Sequence, residues 1–330
     1  MTDLITDLKD PVSYPFTPEK VEVVQTHISI VFIADETVYK VKKPVDFGFL
    51  NFSDLEKRHF YCKQELMLNR RLAKGIYLDV VPISLDHGRH TLEGRGEPVE
   101  YAVKMKRIPE ERLMKSLFDN GCLSHSDLDK VAETLAGFHK NALRSPQIDQ
   151  FGRAEKFRVN TDENFEQVRK YIDISIRNDD FHALKEWTAD FYRDKREMFS
   201  RRIDRGKIRD CHGDLHMEHI CFTDDLAVID CIEFNDRFRY SDTIADIAFL
   251  LMDLEFHGGV EFSDHLWKQY CRHTGDVGVE DLLVFYKVYR AFVRGKVNSF
   301  QLDDDRIGEK EKAAAAQRAH RYFRLARSYI

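Results

Sequence analysis

Cys211-His212-Gly213-Asp214-Leu215-His216-Met217-Glu218-His219-Ile220-Cys221-Phe222-Thr223-Asp224-Asp225-Leu226-Ala227-Val228-Ile229-Asp230 gathers three histidines and four aspartates around a short apolar hairpin. Ile220-Cys221-Phe222 reads as one strand and Ala227-Val228-Ile229 as its partner. Thr223 to Leu226 forms the turn, because Thr and Asp side chains bond their own backbone there. A turn centred between Asp224 and Asp225 sets His219 opposite Asp230; a slip of one residue would reverse the faces. Asp214 lies five residues before His219, on the loop that feeds the hairpin. The pattern offers one carboxylate as a base and a second, with a neighbour, as a metal ligand.

H-G-D-L-H followed by strand, turn and I-D resembles the catalytic segment of the aminoglycoside phosphotransferase family. So does the stretch from Glu233-Phe234-Asn235-Asp236-Arg237-Phe238-Arg239 through Asp242, Asp246 and Ala248 to Asp253. It looks most like a bacterial branch of undefined substrate. The resemblance implies an α+β, two-lobe protein-kinase-like fold: a small antiparallel-sheet lobe with one helix over residues 1–107, which binds nucleotide, and a larger, mainly helical lobe over 108–330, which carries catalysis and the acceptor. It implies ATP with Mg²⁺, Asp214 as the base, Asp230 as the metal ligand and His212 as the prop of the loop. Asp246, with Asp242, is expected to accept hydrogen bonds from that loop. One position departs from the family pattern: His219 stands where an asparagine metal ligand is usual. Imidazole suits softer ions than Mg²⁺, so His219 either stays outside the metal shell, shifts the preference to Mn²⁺, or abolishes activity.

At 330 residues the chain suits two lobes. Its 43% hydrophobic and 33% charged content is ordinary for a soluble protein. A formal charge of -6 gives no electrostatic reason to expect nucleic acid. No run approaches a membrane span, and the acidic start, M-T-D-L-I-T-D-L-K-D, is no signal peptide. The six cysteines lack C-x-x-C spacing, which fits reduced thiols in the cytoplasm. Oligomeric state is not legible.

In the first lobe, 25–33 and 37–43 alternate as strands, with Val38, Lys40 and Lys42 on one face. By resemblance Lys40, two residues after Val38, is the lysine that meets ATP phosphates; Lys42 is its rival. Ser53-Asp54-Leu55-Glu56 reads as a capping box opening a helix to about Leu72. Glu65 interrupts the apolar stripe Tyr61, Leu68, Leu72. A carboxylate on a buried face needs a partner, and Lys40 would supply it; the alternative is a rim glutamate reaching water. Thr26-His27-Ile28-Ser29 offers a weak phosphate-binding turn. Val99 to Ile108 alternates like a strand, and the resemblance makes it the hinge where backbone near Met105 to Arg107 meets adenine.

In the second lobe a helix opens at Ser124 and ends near His139, read as a core histidine. Residues 161–203 read as two charged helices that shape the acceptor side. Arg290 and Arg294 share a helix face, fit to hold an anion or to pair with carboxylates of those helices. Arg318, Arg321, Arg324 and Arg327 read as a solvated face of a last helix.

The leading reading is an ATP-dependent kinase acting on a small-molecule hydroxyl, of a sugar-like metabolite or an aminoglycoside. Two others stand beside it: a non-catalytic nucleotide-binding protein, and a metal hydrolase built on His212, Asp214, His216 and His219. A protein kinase is disfavoured, since Asp230 is followed by Cys231-Ile232 and no G-x-G-x-x-G appears.

Overall fold

Apolar alternation lays out a six-stranded antiparallel sheet in which the strands at 21–25, 29–34, 37–42, 98–106, 77–86 and 89–92 lie side by side in that order. The computed structural model describes residues 1–330, apart from the side chain of Thr2. The strands are β1 (Val21–Gln25), β2 (Ser29–Ala34), β3 (Thr37–Lys42), β4 (Tyr77–Asp86), β5 (Arg89–Leu92) and β6 (Pro98–Lys106). Ile30, Phe32 and Ala34 of β2 and Tyr39 and Val41 of β3 point to one face, where Leu4 and Leu8 of α1 (Thr2–Leu8) cover them. Period two then puts Val38, Lys40 and Lys42 on the other face. That face is covered by α2 (Leu55–Asn69) through Cys62 and Leu66, and by Ala227 and Ile229.

The chain continues through α3 (Met114–Asp119), α4 (His125–Asn141), α5 (Pro146–Asp149), α6 (Ala154–Val168), α7 (Asn178–Asp194), α8 (Arg196–Asp204) and β7 (Ile208–Asp210). It forms the hairpin β8 (Ile220–Phe222) and β9 (Leu226–Val228), then α9 (Asp236–Arg239), β10 (Tyr240–Asp242), α10 (Thr243–Phe256), α11 (Val260–Thr274), α12 (Glu280–Phe300) and α13 (Glu309–Ser328). Two compact units result. One comprises 1–122 and 218–236, the other 123–217 and 237–330. Residues 108–122 and the hairpin thus group with the sheet. The reason is local: Leu113 bridges Cys221, and Arg112 Nε donates to the Phe222 carbonyl at 2.6 Å.

The second unit is built around α10, whose residues from Thr243 to Leu254 are all buried. Helices α11 and α12 pack on it, and α13 packs on α12. Gly295 permits the last contact, because a Cβ there would lie 2.6 Å from the Phe323 ring. The arginines of α13 face solvent as expected, while Ala315, Ala319, Tyr322, Phe323 and Ala326 form its buried face.

Four local expectations change. The hairpin pairs Phe222 with Leu226 and Ile220 with Val228, so the turn is centred on Asp224 and His219 opposes Ile229. Thr223 Oγ1 bonds the Asp225 carbonyl, which closes a three-residue turn. The cap of α2 is Asp54, whose carboxylate accepts from the Lys57 N–H at 2.8 Å; the Ser53 hydroxyl is engaged by Asn51. The Ile28 and Ser29 amides already donate to Thr26 Oγ1, so that turn does not present them to a phosphate. Residues 154–204 form three helices, because the chain breaks at Ile172–Arg177 and again at Lys195.

Candidate active site

In the first unit the buried face of β3 carries a closed ion network. Lys40 Nζ lies 2.9 Å from Glu65 Oε1 and 2.5 Å from Asp230 Oδ1. Lys42 Nζ lies 2.7 Å from the other Glu65 oxygen and also contacts Glu233. Glu65 is fully buried, so the rim reading fails: it sits on the helix face that the sequence pattern gave it, between two ammonium groups. Burial alone would lower both lysines and raise Glu65; the mutual charges outweigh it, raising both lysines and holding Glu65 low. Glu233 stays raised, because burial and the nearby Glu65 exceed the pull of Lys42.

The two lysines are not equivalent. Lys42 is 1% exposed and locked to Glu65 and Glu233, whereas Lys40 reaches Asp230, whose side chain is 44% exposed. Two ammonium groups therefore face three carboxylates, and the surplus negative charge sits on the one that water can reach. That donor set fits a divalent cation: Asp230 offers oxygen, and His219 Nε2 lies 3.7 Å from Asp230 Oδ2. The hairpin register does not make that approach. Asp230 has a left-handed backbone (φ 60°), which turns its side chain back toward His219. Its N–H donates to the Tyr77 hydroxyl at 3.1 Å, and the following Cys231 N–H donates to Asn69 Oδ1 at 2.9 Å. Val38 and Met105 are register partners on β3 and β6, and the Arg107 N–H donates to the Glu36 carbonyl at 2.8 Å.

In the second unit the loop before the hairpin hangs from α10. Asp246 accepts the His212 N–H at 2.9 Å and the Gly213 N–H at 2.8 Å. His139 Nε2 is 3.1 Å from the same carboxylate, and its Nδ1 is 2.8 Å from the Tyr270 hydroxyl. Burial would raise Asp246; the His139 hydrogen bond and charge, with His212 and Arg290, hold it far below the usual carboxylate range. Asp242 plays another part: it caps α10 through the Ile244 N–H and takes two hydrogen bonds from the buried Arg202. Gly213 has φ 88°, a turn that any side chain would strain. His212 Nδ1 accepts the Asp214 N–H at 3.3 Å, which leaves the proton of a neutral ring on Nε2. His216 Nε2 lies 3.6 Å from Asp214 Oδ2. Burial depresses His216, but the hydrogen bond and charge of Asp214 overcome it and raise the imidazole.

Arg290 neither offers a free anion site nor pairs with carboxylates. Its guanidinium donates to the Gly213 carbonyl at 2.8 Å and to the Ala245 carbonyl at 3.0 Å. Asp253 was missed in the sequence. It accepts the Met217 N–H at 3.0 Å and so anchors the other end of the loop. The available signal was a carboxylate within the apolar run Ala248 to Asp253, which burial makes costly without donors.

A sheet carrying a lysine–glutamate pair and a helical unit carrying the H-G-D loop define the two-lobe protein-kinase-like fold. Solved structures share it. A choline/ethanolamine kinase family protein from Mesorhizobium loti superposes with TM-score 0.51 at 12% identity, covering 93% of this chain and 92% of that one. An amicoumacin kinase solved in complex with AMP-PNP, Ca²⁺ and Ami superposes with TM-score 0.54 at 13% identity, covering 96% of this chain and 90% of that one. The chain belongs to the phosphotransferase enzyme family, whose sequence profile matches residues 57–282. Uncharacterised proteins of Mycobacterium tuberculosis and Mycobacterium bovis are 35% identical over 308 residues; the match spans 93% of this chain and 60% of theirs. Among the described residues no helix is long and apolar enough to cross a membrane.

Proposed function

We propose that this chain transfers the γ-phosphoryl group of ATP to a hydroxyl of a small molecule. Residues 1–107 supply the nucleotide side in this reading, and 108–330 the catalytic and acceptor side. Lys40, oriented by Glu65, meets the ATP phosphates; Val38 and backbone near Met105 and Arg107 receive the adenine. Asp214 orients the acceptor hydroxyl and takes its proton, with His212 fixing the loop. A divalent ion, Mg²⁺ or Mn²⁺, would be held by Asp230 with His219 beside it, and would supply charge neutralisation at the phosphates. Little covalent help is needed, since positioning and charge carry phosphoryl transfer. An acceptor of sugar-like or aminoglycoside type belongs to this reading, as does a cytoplasmic location.

The observation that carries the proposal is Lys40 between Glu65 and the half-exposed Asp230, at 2.9 and 2.5 Å. It sets a phosphate-binding cation beside the carboxylate best suited to a metal. The amicoumacin kinase of similar fold, seen with a nucleotide analogue and a divalent ion, gives the same pairing of ligands. The test is ADP release from ATP across a panel of sugars, amino alcohols and aminoglycosides, with Mg²⁺ and with Mn²⁺. The active acceptor should lose turnover by several orders of magnitude in Asp214→Asn while nucleotide affinity holds. Unchanged turnover in that variant removes Asp214 from the chemistry. Failure of every acceptor, with ATP still bound, returns the chain to a nucleotide-binding protein.

A further inference from the structure

We propose that the acceptor is a sugar acid, and that a polar strip between α6 and α12 holds its carboxylate and a neighbouring hydroxyl. This rests on the reading of Asp214 as the base and names the class of acceptor that it would serve.

The strip follows from helical spacing. Asn160, Glu163, Asn164 and Gln167 of α6 recur at three and four residues and so share one face. On α12, Tyr289 and Lys296 are seven residues apart, two turns along one face. Lys296 Nζ joins the two helices, donating to Asn164 Oδ1 at 2.6 Å and to Gln167 Oε1 at 2.9 Å. Arg237 reaches the same strip through Glu163 at 2.6 Å. One end lies at the loop of Asp214: the Arg290 guanidinium sits 5.5 Å from the Tyr289 ring and donates to the carbonyl of Gly213, the residue before Asp214.

Two groups in the strip lack what burial demands. Asn160 is 5% exposed, and among the described residues its side chain has no hydrogen-bond partner. The other three buried asparagines, Asn69, Asn164 and Asn298, each bond through the side-chain amide. A buried amide without a partner is costly, and one that nothing holds can turn about its last torsion to meet a ligand. Lys296 lacks a counter-charge. Its partners are the two amide oxygens and the Phe300 ring at 5.6 Å, and among the described residues it forms no ion pair. The acids around it are committed: on α6 Asp162 holds Arg158, Glu163 holds Arg237 and Glu166 holds Arg169, and beyond α12 Asp303 holds Lys170. Burial, outweighing the pull of Glu163, brings the Lys296 amine down to about 8.

One uncompensated ammonium matches the single charge of a carboxylate, whereas a phosphate dianion calls for more. Among the described residues the amide N–H groups of Asn164 and Gln167 have no acceptor, and they are free to donate to the same carboxylate. Asn160, one turn and about 6 Å from Asn164, suits a hydroxyl further along the ligand. A polycationic aminoglycoside would instead set ammonium groups against Lys296.

Calorimetric titration of the full chain without nucleotide tests this. The ligands are gluconate, sorbitol (the same polyol chain without the carboxylate) and sorbitol phosphate. Gluconate should bind roughly ten- to a hundredfold more tightly than sorbitol. In Lys296→Met that advantage should vanish while sorbitol binding holds, and Asn160→Ala should weaken both ligands alike. A carboxylate beside the Lys296 amine raises it, so at pH 8 gluconate should draw about half a proton into the parent and none into Lys296→Met. Titration in buffers of different ionisation enthalpy reads that uptake. Equal affinity for gluconate and sorbitol, no binding of either, tighter binding of sorbitol phosphate, or an undiminished preference in Lys296→Met each overturns the proposal. None of these outcomes involves ATP. Gluconate that binds as expected but is not phosphorylated with ATP and Mg²⁺ overturns the kinase reading alone and leaves a sugar-acid site.

Discussion

Glu65→Gln is the sharpest probe of the ion network. The substitution keeps shape and burial and removes one charge from a fully buried group that touches two ammonium ions, at 2.9 and 2.7 Å. Breaking a buried pair by neutralising one partner costs about 3–5 kcal/mol. Here the lower end applies, because Lys40 keeps Asp230 and Lys42 keeps Glu233, and the remaining network is neutral. A loss of about 3 kcal/mol makes exchange of protected amides roughly a hundredfold faster. Tryptophan fluorescence would not report it, since Trp187 and Trp267 both lie in the second unit. Native-state hydrogen exchange of peptides covering β3 and α2 would. Asp230→Asn should cost under about 1 kcal/mol in the same assay, because its carboxylate is half exposed and water screens it. Exchange less than threefold faster in Glu65→Gln would refute the reading that these charges are sealed from water.

Asp246→Asn should lower stability by about 3 kcal/mol or more, since an amide presents N–H toward the His212 and Gly213 donors and toward His139. The native carboxyl lies below its unfolded value, so its contribution is complete above about pH 4 and fades as pH falls through the native value; urea titrations at pH 7 and pH 3 should show the gap between parent and variant narrowing in acid. Lys296 runs the other way. Burial depresses its amine to about 8 against an ordinary 10.5, so the unfolded chain binds more protons between those values and stability rises with pH across them, by up to about 3 kcal/mol. Lys296→Met should abolish that rise between pH 8 and pH 10, measured by urea unfolding; a rise of the same size in the variant assigns it elsewhere. Gly295→Ala should destabilise the second unit by about 1 kcal/mol, as the methyl collides with Phe323 and overpacking exceeds the gain in helix propensity. Urea unfolding followed by Trp187 and Trp267 fluorescence would show it, and a more stable variant would mean that α13 yields easily.

Much of this was legible because the informative residues break local rules. Glu65 in an apolar helical stripe and two lysines on one face of β3 announced each other across 23 and 25 residues of chain, and both meet Glu65 in the fold. What the sequence concealed were choices between near-equal local geometries. Ser53 and Asp54 are both good caps, and a side chain three residues from an amide decided for Asp54. A three-residue and a four-residue turn both suit T-D-D-L, and the register moved by one. Arg290 offered no cue at all: its partners are carbonyl oxygens of Gly213 and Ala245, and backbone acceptors leave no trace in sequence. The same holds for Tyr77 and Asn69, which bind amides of the segment around Asp230.

The spacing of Asp246 and Asp253 explains why the loop around Asp214 can be held so closely. Seven residues are two helical turns, about 10 Å of rise, and return to nearly the same face. Helix α10 is buried along almost its whole length, so a carboxylate on it survives only where backbone donors converge on it. Asp246 collects the amides of His212 and Gly213, and Asp253 collects that of Met217. The carbonyl of Gly213 is fixed in turn by Arg290 of α12. Both ends of the 212–217 loop are therefore tied to one rigid helix, and Asp214, Leu215 and His216 lie between the ties. In the proposed reading, a base at Asp214 that meets a hydroxyl within hydrogen-bond distance would need that restraint, and the two acids that provide it are what an otherwise apolar helix could not carry for packing alone.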